Sequence, residues 1–146
     1  MTFTLTMLFI MAGGSLGALA RFLCQGLAAR CTSWPGWIPV LIINVLGSII
    51  IGIAVAWLSI DIKDLNLQNL NPATRVLEEL ALNEMMALIA VGFCGAFTTF
   101  STFSLGNYLL SIDKKGQMLL NMIGTTLLAY GGVMLGWFLG SLGGGS

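Results

Sequence analysis

Phe97-Thr98-Thr99-Phe100-Ser101-Thr102-Phe103-Ser104 is an unbroken run of residues that are either aromatic or hydroxyl-bearing, set inside a long apolar segment. A hydroxyl in hydrocarbon requires a hydrogen-bond partner, and a phenyl ring offers a positive edge as well as an apolar face. Alternating the two types makes a poor lipid-facing surface and a workable lining for a small ion that must shed water. Phe100 and Phe103 are three apart and share one helical face, as do Thr98 with Ser101 and Thr102, and Ser101 with Ser104. In the last apolar segment Thr126 and Tyr130 are spaced i to i+4, with Thr125 beside them. Any single Ser or Thr in a membrane helix bonds by default to the carbonyl of the preceding turn. A succession of them with phenyl rings favours a polar track.

Other polar residues set limits on that track. Asn44 lies in Ile-Ile-Asn-Val-Leu-Gly, where its amide either clamps a neighbouring helix or turns its hydrogens toward an anion. Arg21 is the one charge embedded in an apolar segment; it either snorkels to the interface or forms an electropositive post. All six acidic residues, Asp61, Asp64, Glu78, Glu79, Glu84 and Asp113, are expected in connections, leaving no carboxylate inside a span. Proton-coupled cation transport leans on intramembrane Asp, Glu or His, which disfavours a proton-driven multidrug exporter. Histidine is absent, and Cys24, Cys31 and Cys94 have no metal-ligand spacing, so they read as small packing residues and enzymatic metal chemistry is disfavoured.

The elements that must carry these residues are membrane helices. The chain has 146 residues, 57% hydrophobic and 8% charged, against roughly 25% charged in soluble domains. Apolar segments at about 4–29, 38–58, 85–110 and 117–140 are each long enough to span the hydrocarbon core. The fold class is therefore an all-α membrane protein, a single transmembrane domain over 1–146 with one sizeable connection at 59–84. A short surface helix is expected over 74–84. Ala18-Leu19-Ala20 resembles a signal-peptidase site, but no Lys or Arg precedes it and the apolar run continues, so the first segment is read as a span. The terminal 143–146, Gly-Gly-Gly-Ser, has the look of a cloning remnant and is given no weight. Gly13, Gly14, Gly17, Gly132, Gly136 and Gly140 supply small-xxx-small spacings, expected to serve helix packing. Trp34, Trp37, Trp57 and Trp137 lie near segment ends, as interface anchors do.

Glycines 92 and 95 are expected to break the third segment just before the hydroxyl run. Broken backbone at membrane depth is tolerated where it is buried or lines a cavity, and its carbonyls can hold a cation. Four spans place Lys63 and Arg75 on one side and Arg30, Lys114 and Lys115 on the other, with Arg21 if it reaches the surface. That bias is weak, leaving two readings open: one weakly preferred orientation, or copies inserted both ways and paired antiparallel.

Gly13-Gly14-Ser15-Leu16-Gly17-Ala18-Leu19-Ala20-Arg21, Asn44-Val45-Leu46-Gly47, and Gly92-Phe93-Cys94-Gly95 leading into Thr98 through Ser104 together resemble the Fluc (CrcB) family of bacterial fluoride channels. The resemblance implies a dual-topology antiparallel homodimer in the cytoplasmic (inner) membrane, embedded in lipid, with two fluoride pores, third helices broken near the middle, and no nucleic-acid partner. It implies a structural Na+ held by the backbone carbonyls of Gly95 and Thr98, and no organic cofactor. Carried over by position, Phe100 and Phe103 line the pore, with Asn44, Ser101, Thr102 and Ser104 beside them, and Met122, Thr126 and Tyr130 along the fourth span. Arg21 becomes the cation near the aqueous mouth. The chain departs from the family where tyrosine is usual at Met122, serine at Thr126 and Tyr130, and glutamate shortly after Ser104; here Leu105-Gly106-Asn107 follows. The expected function is passive fluoride export giving fluoride resistance. The alternatives are a small proton-coupled exporter of the four-helix dual-topology type and a non-transporting membrane assembly factor.

Overall fold

Apolar length dictates the architecture, since each helix satisfies its own backbone polar groups in lipid. The structure, a computed structural model, describes residues 2–31, 33–64 and 80–143. Helix α1 spans Thr2–Cys31 and α2 spans Trp37–Asp64. The third span is interrupted: α3 covers residues 80–97 and α4 covers Phe100–Asp113. Helix α5 spans Lys115–Gly143. Among the described residues, four segments are long and apolar enough to cross a membrane: Phe3–Cys31, Trp37–Leu58, Leu80–Asp113 and Lys115–Gly143. Pro39 sits in the first turn of α2, where its missing N–H leaves no bond unmade. Lys114 alone separates α4 from α5, so the last connection is tighter than 111–116: its N–H donates to Leu110 O at 2.8 Å and its carbonyl accepts from Met118 N at 3.1 Å.

Neighbouring spans in sequence are not the main partners in space. Helix α1 packs along α3, and α2 along α5, both pairs running parallel. In the second pair Gly132 faces Val45, Gly136 faces Ile49 and Gly140 faces Ile53, a register that advances by one turn and a bit on both helices. A methyl group added at Gly136 would run into the Ile49 carbonyl, and one at Gly13 into the Leu88 carbonyl. The small-residue stripes are thus consumed in packing the chain against itself, where close approach supplies dispersion in place of a hydrophobic driving force. The buried apolar core is thin: Val40, Ile43, Ala54, Ala56, Leu58, Ala87, Cys94 and Phe97.

Two expectations are corrected in the third span. Gly92 and Gly95 do not break it. Both remain helical, the stretch Ala87–Cys94 being wound in wider π-helical turns, and Gly92 is spent on close approach to Ile10 and Gly13 of α1. The chain leaves the helix at Thr98 (φ −74, ψ 158) and Thr99 (φ −148, ψ 118), both extended. Second, Glu84 is not in a connection. It lies in the opening turns of α3, 4% exposed. The surface helix expected over 74–84 lies largely outside the described residues, and its end is the beginning of α3.

Candidate functional site

Thr99 organises the interruption. Its extended backbone and side chain form the N-cap of α4, with Oγ1 accepting from Thr102 N at 3.2 Å. Loss of such a cap costs about 1 kcal/mol. The same hydroxyl donates to Thr102 Oγ1 at 3.1 Å and lies 3.2 Å from Ser101 Oγ. Thr98 Oγ1 turns back onto Cys94 O at 2.9 Å, the carbonyl that also accepts from Thr98 N. Across from the break, Asn44 Oδ1 accepts from Thr99 N at 2.9 Å while Asn44 Nδ2 donates to Thr99 O at 3.4 Å. Of the two readings of Asn44, the clamp is therefore realised; its second amide hydrogen is not used by these contacts.

These bonds divert two amides from their helical partners. In an unbroken helix Thr99 N would bond Gly95 O, and Thr102 N would bond Thr98 O. Here Thr99 N goes to Asn44 and Thr102 N to the Thr99 side chain. The carbonyls of Gly95 and Thr98 are released from the ladder by the same device, and hard backbone oxygens of this kind suit a small cation.

A cavity of about 430 Å³ opens beside the break. Asn44, Ser48, Thr98, Thr99, Phe100 and Phe103 line one side, and Thr125, Thr126, Ala129 and Val133 of α5 the other. The rings of Phe100 and Phe103 are 6.0 Å apart between centroids and tilted by 41°. Phe100 is 80% exposed in the single chain, so one wall of this cavity is open. Phe103 also lines a second cavity, of about 400 Å³, on the far side toward Lys114. Among the described residues no carboxylate lines either one.

The structure gathers Asn44, Thr98, Phe100, Phe103 and Thr126 at the first cavity and Thr102 at the second. Ser101 is exposed and joined to Thr99 by the hydroxyl cluster; Ser104 is half-buried on α4. Met122 and Tyr130 are exposed, at 45% and 66%, on the outer face of α5 and line neither cavity. Arg21 is half-buried on α1 and likewise lines neither. Gly95 is exposed at the end of α3.

Two buried asparagines, Asn107 and Asn121, escaped the sequence reading. Asn121 Nδ2 donates to Asn107 Oδ1 at 2.9 Å, and Thr125 Oγ1 donates to Asn121 Oδ1 at 3.0 Å, a fully buried chain that locks α4 to α5. The signal was available: an Asn within an apolar span must be satisfied, the argument applied to Asn44 alone. Glu84 Oε1 accepts from Thr6 Oγ1 at 2.7 Å, while Oε2 is buried without a hydrogen-bond partner among the described residues. It lies with Leu5, Phe9, Leu80, Ala81 and Met85 on the α1 side and lines neither of the cavities that share Phe103.

The comparisons with known proteins converge. Residues 8–137 match a family model described as CrcB-like protein, camphor resistance (CrcB). A fluoride-specific ion channel FluC of Gluconobacter oxydans is 34% identical over 138 residues, covering 93% of this chain and 84% of the relative. The FluC of Escherichia coli K12 is 34% identical over 136 residues, 91% of each chain. A FluC 1 of Yersinia pestis is 33% identical over 135 residues, 86% of this chain and 91% of its own.

Proposed function

Because the chain belongs to the CrcB family, whose curated relatives are fluoride-specific ion channels and not enzymes, we propose that it conducts fluoride passively out of the cytoplasm and so confers fluoride resistance. The observation that carries this reading is the Phe100–Phe103 pair standing over a cavity of hydroxyls and amides, with no carboxylate among the described residues that line it.

Fluoride is small and holds its water tightly, so a pore must replace that shell with donors. The Ser48, Thr98, Thr99, Thr125 and Thr126 hydroxyls donate to protein acceptors, so the spare Asn44 amide hydrogen and the positive ring edges of Phe100 and Phe103 supply them. Chloride is larger and accepts hydrogen bonds more weakly, so a narrow lining of this type selects by size and donor field together. Fluoride crosses membranes as the neutral acid and is trapped as the anion in a neutral cytoplasm. An interior-negative potential then drives it outward by about 2.3 kcal/mol per 100 mV per charge. No coupling ion or nucleotide is required.

The working unit is an antiparallel homodimer with dual topology and two pores, in the cytoplasmic membrane of a bacterium. The weak charge bias and the open wall beside Phe100 support a second copy. Such a copy is also what would bring Met122 and Tyr130, exposed here, onto a fluoride route with Thr126. Arg21 serves as the electropositive group near water. The released carbonyls of Gly95 and Thr98 fit a sodium ion; when bound, Na+ supplies a fixed charge that ties the helix interruptions together.

Purified protein in liposomes, loaded in turn with fluoride and chloride, tests the function. Rapid fluoride release with chloride retained is expected. Equal release of both ions, or transport that requires a proton gradient, would overturn the reading and return the four-helix exporter to first place.

A further inference from the structure

Glu84 is a buried carboxylate that fluoride conduction leaves unused. It is 4% exposed in the opening turns of α3, where Oε1 accepts from Thr6 of α1 and Oε2 has no hydrogen-bond partner among the described residues. A charge taken out of water is costly unless an opposite charge joins it. A cavity of about 340 Å³ lies against this carboxylate, walled by Leu5 and Phe9 of α1 and by Leu80, Ala81 and Met85 of α3. No Lys or Arg is among these lining residues. Rotation about the last side-chain torsion of Glu84, a soft one, turns Oε2 toward the space.

The donor set narrows the occupant. A hard metal ion takes roughly six or more oxygens, whereas the described lining offers one carboxylate in an otherwise apolar wall. A primary ammonium asks for less: a carboxylate oxygen to accept one N–H in a charge-assisted bond, and an apolar surface for whatever chain carries it. Position narrows it further. Thr6 lies in the second turn of α1 and Glu84 in the opening turns of α3, so the cavity stands at one end of two membrane-spanning segments. At about 1.5 Å of rise per residue, Glu84 is about 6 Å along the axis from Leu80, comparable with the ~5–7 Å of headgroup layer on each side of the hydrocarbon. Leu5 and Met85 are exposed at 41% and 44%, and Ala81 is exposed beside them, so the apolar wall is open from outside the protein.

We propose that this cavity is a lipid-headgroup site, in which Glu84 takes the primary ammonium of phosphatidylethanolamine and Leu5, Phe9 and Met85 take the apolar chain. A choline head has no N–H and does not make the bond, so the site separates two zwitterionic lipids of equal net charge. Bound lipid fastens α1 to α3 and stabilises the folded protein in proportion to occupancy. The site stands apart from the fluoride reading, because Glu84 lines neither cavity at Phe103.

Native mass spectrometry and thermal unfolding of the full chain in detergent test this, with phosphatidylethanolamine or phosphatidylcholine of identical acyl chains added. The parent is expected to retain the ethanolamine lipid on the order of fivefold over the choline lipid, and to unfold at a higher temperature with it. Glu84→Gln keeps the size and a carbonyl for Thr6 while removing the charge, and its preference should fall to within about twofold. Ala81→Phe fills the cavity without altering the carboxylate and should lose the preference too; it serves as the second variant should Glu84→Gln fail to fold. Free ethanolamine at matched concentration should leave the unfolding temperature unchanged. A preference kept in both variants, or absent from the parent, would overturn the site. A rise with free ethanolamine equal to that with the lipid would overturn the lipid as occupant in favour of a soluble amine. A parent without preference whose unfolding temperature drops in Arg75→Gln would overturn it in favour of a cation from this chain.

Discussion

Asn44 and Thr99, 55 residues apart, exchange hydrogen bonds as two peptide groups would: Thr99 N to Asn44 Oδ1 at 2.9 Å, and Asn44 Nδ2 back to Thr99 O at 3.4 Å. A carboxamide presents the donor and acceptor that a backbone neighbour would present. The third span can therefore leave its helix at membrane depth without stranding the Thr99 peptide, and the interruption is held against α2.

Replacing Asn44 with leucine keeps approximate volume and removes both bonds. Stranding the buried Thr99 amide costs about 1–3 kcal/mol. The expected outcome is a lower unfolding temperature in detergent together with at least tenfold slower fluoride release from liposomes. Parent-like unfolding and parent-like flux in this variant would show that the clamp neither holds the break nor serves the ion.

The contrast between Thr99 and Gly95 shows what was legible in the chain. Span number, approximate span limits and the position of the hydroxyl run follow from hydropathy, because lipid leaves the backbone few choices. Propensity assigns the break to the glycines, yet tertiary packing uses Gly92 for contact with α1 and leaves the break to two threonines with side-chain and Asn44 partners. Glu84 was misplaced because a carboxylate near a span end reads as loop, whereas Thr6 of α1 supplies it a partner that no local pattern reveals. On α5 spacing puts Thr126 and Tyr130 on one face, and the resemblance adds Met122. Thr126 does line the first cavity, with Thr125, Ala129 and Val133, and Asn121 lines the second, whereas Met122 and Tyr130 line neither in the single chain.

Phe100 and Phe103 differ in surroundings, and the two substitutions test different things. Isoleucine keeps apolar bulk and removes the ring edge. Phe103→Ile alters the shared wall of both cavities, and Phe100→Ile alters a ring that is 80% exposed in the single chain. Both variants are expected to lose at least 100-fold in fluoride release, about 2.7 kcal/mol and more than the ~0.5–1.5 kcal/mol of the ring pair itself, with the elution position on gel filtration unchanged. Flux within a few-fold of the parent in either variant would remove that ring from the ion's path.

The carbonyls of Gly95 and Thr98 lead to a prediction that separates a structural cation from a transported one. Both lose their helical amide through bonds made by Asn44 and the Thr99 side chain. A cation bound to such oxygens stabilises the folded assembly in proportion to its occupancy. Exchange of sodium for a large organic cation is therefore expected to lower the unfolding temperature and to weaken subunit association, and re-addition of sodium to restore both. Fluoride release should fall in parallel, with no dependence on the direction of a sodium gradient once the site is filled. Thr98→Val keeps the backbone carbonyl and the methyl that faces Gly47 and removes the hydroxyl bond to Cys94 O, so it should retain the sodium response. Thr99→Val removes the cap, lets Thr102 N seek a backbone oxygen, and should blunt that response. Stability and flux indifferent to sodium in the parent protein would leave the Gly95 and Thr98 carbonyls without a cation, and the interruption would then be held by Asn44 and Thr99 alone.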